Sequence, residues 1–140
     1  MIRCVTGLVP PFIQHVIEQK AGPLAYVPTR APFGYRYLSY SWDAGAKRLT
    51  IRLHDKHYAP SNANRTLAVT VERFGGTPKS CGDGNEKSYQ VDGNKVFSAG
   101  VDLAWRCVRG VQGGVVKILA AGRNLPASAL AIVASSVKRL

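Results

Sequence analysis

The chain has 140 residues, 46% of them hydrophobic and 19% charged, and nineteen Lys and Arg against eight Asp and Glu give a formal net charge of +11. That length fits one folded domain over 1–140, and the apolar content is too high for global disorder. No apolar run reaches the ~18 residues of a membrane span, and no phosphate-loop, dinucleotide-binding or serine-hydrolase motif occurs, so those function classes lack their sequence marks.

The opening MIRCVTGLVPPFIQHVIEQK has no apolar core followed by a small-residue cleavage site, so no export signal is visible. Pro10 and Pro11 precede Phe12, Ile13, Val16 and Ile17, whose spacing marks one apolar face of a helix at 11–20 that Gly22 and Pro23 stop. An extended segment is expected at 24–30 and a turn at 31–34, where Pro32 and Gly34 constrain the backbone.

In YRYLSYSWDAGAKRLTIRLHDKHY (35–58), Leu38, Tyr40 and Trp42 alternate on one side, as do Leu49, Ile51 and Leu53. Bringing both apolar rows to one face sets Trp42 opposite Leu49 and Tyr40 opposite Ile51 around a loop at 44–47. The other face then pairs Ser41 with Thr50, Ser39 with Arg52, Tyr37 with His54 and Tyr35 with Lys56. A polar loop follows at 59–65, then a strand at 66–74 with Leu67, Val69 and Val71 inward, then a Gly-rich loop at 75–87. Asp92-Gly93 marks a hairpin or bulged strand within 89–97. Val101, Leu103, Trp105 and Cys107 share a face of the next strand, and the glycines of 110–114 turn the chain into VVKILAA. Pro126 opens a last helix with Leu130, Val133, Val137 and Leu140 on one stripe, in which Ser135 and Ser136 read as filler. The order predicts an α+β fold: a meandering antiparallel sheet of five to six strands with N-terminal and C-terminal helices packed on one face.

Cys4, Cys81 and Cys107 form no C-x-x-C pair, which removes thiolate zinc and thioredoxin-like chemistry. A bridge between Cys81 and Cys107 would stabilise by about 3.5 kcal/mol in the chain-entropy model and imply an oxidising compartment; two free thiols are the alternative. His54-Asp55-Lys56-His57 is the densest polar cluster, but His54 and His57 point to opposite sides of a strand, so no metal site is assigned. No cofactor and no catalytic residue is assigned either. Asn64-Arg65-Thr66 matches a glycosylation acceptor, a match common by chance.

Tyr35, Tyr37, Arg52, His54 and Lys56 are the candidate ligand-binding residues. Rings interleaved with cations stack bases or sugars while the cations track phosphates, and they equally pair with one another on a solvated sheet. Tyr37, Arg52 and His54 with Lys56 nearby also sketch a ribonuclease-like acid–base group. The charge favours an anionic partner, whether envelope polymer, lipid headgroup or nucleic acid, and equally serves solubility.

AYVPTRAPFGYRY (25–37) and VDLAWRCVRGVQGGVVKILAAGRNLPASALAIVASSVKRL (101–140) resemble the beginning and end of small bacterial extracytoplasmic domains of unknown function, found in predicted lipoproteins and anti-sigma-type regulators. The resemblance covers about half the chain. It implies an exported domain and carries over no catalytic residues; physically both blocks read as scaffold, with Trp105 and the final helix closing the core. The expectation is a non-enzymatic extracytoplasmic binding or sensor-type domain; the alternatives are a nucleic-acid-binding module and a small basic ribonuclease-like enzyme.

Overall fold

The computed structural model describes residues 2–4, 7–55, 66–82, 84, 86–100, 102–111 and 113–140. Lys56, His57, Val101, the loop at 59–65 and its Asn64 lie outside them. In chain order the elements are β1 (Ile2–Cys4), α1 (Pro11–Ala21), β2 (Tyr26–Val27), β3 (Arg30–Pro32), β4 (Arg36–Asp43), β5 (Arg48–His54), β6 (Thr66–Phe74), β7 (Lys87–Val91), β8 (Asn94–Ser98), β9 (Leu103–Arg109), β10 (Val115–Gly122), α2 (Ala127–Ser136) and β11 (Lys138–Arg139).

The fold is α+β. Its main sheet is antiparallel with seven strands in the order β4-β5-β6-β10-β9-β8-β7, larger than the five to six expected. It is not one meander. The chain builds β4 to β6, crosses to the far edge, and returns through β7, β8 and β9 so that β10 zips against β6 from Val115↔Phe74 to Gly122↔Leu67. Sequence pattern reveals local hairpins, whereas this central ladder joins strands about fifty residues apart and has no local signature. Asp92 and Gly93, with φ of 50° and 81°, form the tight turn expected of Asp-Gly between β7 and β8.

Cross-strand rungs explain the burial. Trp42, Leu49, Val71 and Ile118 form one row, and Tyr40, Ile51, Val69 and Ala120 the next. Leu49, Ile51, Leu53, Val69, Val71 and Ile118 are fully buried on this inner face, each such side chain contributing about 1.5–3 kcal/mol relative to exposure. Ile17 of α1 and Leu130, Val133 and Val137 at the C-terminal end belong to the same core. The apolar face expected of α1 is narrower than the sequence spacing implied, because Phe12 is 74% exposed.

α2 is fastened at its C-terminal end. Arg106, on the inner face of β9, donates from Nε to Ala134 O (3.0 Å), which also accepts from the Val137 amide, and from Nη2 to Val137 O (2.8 Å), so it tethers the helix end where carbonyls lack helical partners. Burial pushes the Arg106 guanidinium pKa down from its usual value. Ser135 and Ser136 are buried connectors rather than filler. Ser136 Oγ accepts from the Thr29 and Arg30 amides and donates to Val133 O, while Ser135 Oγ donates to Val91 O and accepts from Asn94 Nδ2. β2 pairs with β11 and the Leu140 amide donates to Ala25 O, so the segments 25–37 and 101–140 meet in space.

Trp105 does not close the core under α2, as its sequence context had implied. Strand alternation puts it opposite Arg106, on the outer face, where it joins Cys81 and Phe97 in a second small cluster.

Candidate anion-binding face

A one-residue slip in β4 decides what the outer face presents. Ser41 pairs with Thr50 and Ser39 with Arg52, as the alternation predicts, but a bulge at Leu38 then shifts the register so that Tyr37 faces Leu53 and Arg36 faces His54. Tyr37 therefore turns toward the core with Tyr35, Tyr40 and Trp42 packed against it, and the expected pairing of Tyr37 with His54 is absent. Partial burial, reinforced by Tyr40 nearby, pushes the Tyr37 phenol pKa upward. The expected partner of Tyr35, Lys56, is outside the described residues.

Of the five candidate ligand-binding residues, Arg52 and His54 share the outer face; Tyr35 and Tyr37 pack against the core. Arg36 takes the place expected for Tyr37. His54 Nδ1 lies 2.9 Å from Asp55 O. A carbonyl can only accept, so Nδ1 carries the proton and Nε2 is the acceptor in the neutral ring. With Tyr37 on the other side, the ribonuclease-like grouping of Tyr37, Arg52 and His54 is not assembled on one face.

Charge on the outer face is sorted by rung. At one end Asp43, Arg48, Glu72 and Lys117 alternate in sign across four strands, with Arg48 Nε 2.8 Å from Glu72 Oε2. Glu72 correspondingly raises the Arg48 pKa. The middle row is Ser41, Thr50 and Thr70. At the other end the rungs run Ser39, Arg52, Ala68 and Arg36, His54, Thr66, with no carboxylate in either. Next to them lies a shallow cup of about 400 Å3 floored by Ala68 and Ala121 and edged by Thr66, Asp102 and Arg123. Small side chains in the Arg52 rung produce the hollow, since Arg52 pairs with Ala68 and Ala68 with Ala121.

The β9 side of the outer face carries part of the crossover between β6 and β7. There Pro78–Cys81 is held against β9 by the Cys81–Cys107 disulfide and by a hydrogen bond from Trp105 Nε1 to Cys81 O (2.9 Å), with Phe97 against Trp105 at 6.0 Å between ring centroids. Among the described residues no group of three or more His, Cys, Asp or Glu is placed to hold a metal ion, and no helix is long and apolar enough to cross a membrane.

No family model, curated protein or solved structure matches this chain. Sequence reasoning missed Arg36, Ser135, Ser136 and Arg106. Arg36 alone had a readable signal: the aromatic phase of β4 changes from odd positions (Tyr35, Tyr37) to even ones (Tyr40, Trp42), as a bulge requires.

Proposed function

We propose that this chain is an exported, non-enzymatic binding domain that engages an anionic polymer of the cell envelope through Arg36, Arg52 and His54. The carrying observation is the sorted charge of the outer face: acid and base alternate at one end, whereas two arginines and a histidine occupy adjacent rungs at the other without a carboxylate across from them. Arg36 and Arg52 carry like charge on adjacent rungs of one face, and a polyanion bound across them offsets their repulsion. Both helices are read as packing on the inner face, with Lys20 of α1 over the Tyr40 ring and α2 on Arg106, which leaves the outer face of β4 to β6 for contact. Export is supported by the Cys81–Cys107 bridge, since disulfides persist in oxidising compartments, and by the resemblance of 25–37 and 101–140 to extracytoplasmic domains.

Heparin serves as the test polyanion. An Arg36→Ser/Arg52→Ser variant elutes from a heparin column at lower salt than the charge-matched Lys138→Ser/Arg139→Ser control, and its salt dependence of binding flattens by roughly one unit per lost contact. Equal shifts in the two variants reduce the effect to net charge and sink the assignment of the face. RNA bound more tightly than heparin of matched charge would replace the polymer with nucleic acid. For compartment, protein trapped by alkylation in its native cells and then denatured should show one free thiol; three would remove the exported reading.

A further inference from the structure

We propose that β8 and β9 part to form a slot in the main sheet that accepts an extended acidic peptide as an added strand. The two strands pair at only two rungs, Phe97↔Trp105 and Ser98↔Ala104, yet β9 runs on to Arg109 against β10. Beyond Trp105 no strand pairs with this edge of β9 among the described residues. A cleft of about 570 Å3 opens there, with Asn94 and Lys95 on one bank and Arg106 to Val108 on the other, within the ~300–1,000 Å3 typical of ligand sites. The hairpin tip is held elsewhere. Asn94 Nδ2 donates to Ser135 Oγ of α2 (3.0 Å), Ser135 Oγ donates to Val91 O (2.9 Å), and Asp92 pairs with Arg30 of β3 at 3.0 Å.

What the slot offers follows from backbone phase, because hydrogen-bonded pairs alternate along an antiparallel ladder. At the two ends of the β9–β10 ladder Gly122 N donates to Asp102 O and Gly110 N to Gly114 O, so even-numbered residues of β9 bond β10. Odd-numbered Trp105, Cys107 and Arg109 therefore turn N–H and C=O the other way; Phe97 meets those of Trp105, and those of Cys107 and Arg109 enter the slot. On the facing bank the two-residue turn at Asp92-Gly93 makes Val91 and Asn94 a bonded pair. Asn94, Val96 and Ser98 thus bond β7, and Lys95 turns its N–H and C=O toward the slot. The next rung of the β8–β9 register would join Lys95 to Cys107, and it is open. Donors and acceptors exposed on both banks are a template for one more strand. Pro78, which joins the lining from the crossover, has no N–H with which to fill it.

The backbone holds such a strand and charge selects it. The ionisable side chains lining the cleft are Lys95 and Arg106. Lys95 Nζ lies 5.3 Å from the Phe97 centroid and Arg106 holds the Ala134 and Val137 carbonyls, contacts with neutral groups that leave both side chains charged. An acidic segment is favoured beside them, whereas a second copy of this chain, itself at +11, is repelled. The slot lies toward the opposite edge of the sheet from Arg36 and Arg52 and does not depend on the function proposed for them.

The test uses a fluorescein-labelled hexapeptide of alternating glutamate and valine, followed by anisotropy and by amide hydrogen exchange. It should bind saturably and slow exchange at the Lys95 and Cys107 amides. The same peptide methylated at alternate backbone nitrogens keeps its charge but loses the donors to one bank, so it should bind at least about tenfold more weakly. A lysine–valine peptide should also bind more weakly than the glutamate one. Lys95→Pro removes one slot-facing N–H while sparing the bonds to β7, and should weaken the glutamate peptide by roughly two- to tenfold. Should that variant not fold, the methylated peptide decides on the wild-type protein. The proposal is overturned by equal affinity for the methylated peptide, which would reduce binding to net charge, by the absence of saturation at millimolar peptide, by Lys95 and Cys107 amides that peptide leaves unchanged, or by full affinity in a folded Lys95→Pro protein. Slowing of those amides with protein concentration alone, alongside a dimer in sedimentation, would overturn it in favour of a second copy.

Discussion

Leu38 determines which rings meet water. The extra residue lets Tyr35 and Tyr37 from one phase and Tyr40 and Trp42 from the other all reach the core side, and it places Arg36 outward. An aromatic repeat that changes parity once within eight residues already contains that information, but strict period-two counting suppresses it. Its consequence is testable through Tyr37. A phenol whose folded pKa is raised holds its proton more tightly in the native state than in the unfolded one. The stabilisation is therefore complete below the unfolded value, about 10, and is lost as pH rises through the folded value. Wild-type denaturant midpoints should fall more steeply above pH 10 than those of Tyr37→Phe. Ser136 offers a second residue-scale expectation. Replacing it with Ala strips the acceptor from the Thr29 and Arg30 amides and should cost about 1–3 kcal/mol by urea unfolding, whereas an exposed helix serine such as Ser128 should change stability by under about 0.5 kcal/mol. Nothing in the periodicity separates these serines, because the partners come from segments about a hundred residues away.

At the scale of elements, the crossover and its staple form one unit. Cysteine count alone left bridge and free thiols open; what pairs Cys81 with Cys107 is the path of the chain from β6 to the far edge, which lays Pro78–Cys81 on the outer side of β9. The bridge spans a sequence separation of 26, and opening it should cost about 3.5 kcal/mol in the chain-entropy model. Removal also frees the cover of Trp105 and Phe97. Cys81→Ser/Cys107→Ser should therefore lower the unfolding midpoint and make 75–86 the first site cut in limited proteolysis; cleavage beginning elsewhere would mean that the Trp105–Cys81 hydrogen bond and ring packing hold the crossover unaided. The hairpins β4–β5, β7–β8 and β9–β10 were readable because a loop, an Asp-Gly pair and a glycine cluster separate alternating runs. The seam of β6 with β10 was not, since its partners are chosen by burial of Val69, Val71, Ile118 and Ala120 after both halves exist.

At the scale of the whole molecule, a formal charge of +11 on 140 residues opposes compaction through self-repulsion. Two kinds of anion should relieve it differently. Simple salt screens all the cations at once, with a Debye length of about 10 Å at 0.1 M, and should raise the melting temperature of wild type and of both charge-matched double variants in parallel. A polyanion held by Arg36, Arg52 and His54 acts instead by mass action, adding about 2.7 kcal/mol at a ligand concentration one hundred times Kd. Heparin at fixed low salt should thus raise the melting temperature of wild type and of Lys138→Ser/Arg139→Ser well beyond that of Arg36→Ser/Arg52→Ser, and added salt should erase the difference. If the three proteins respond to heparin alike, the cations act as a diffuse cloud and the sorted rungs of the outer face have no binding role. If only the Arg36 and Arg52 variant loses the response, sheet register, and not total charge, determines where the polyanion sits.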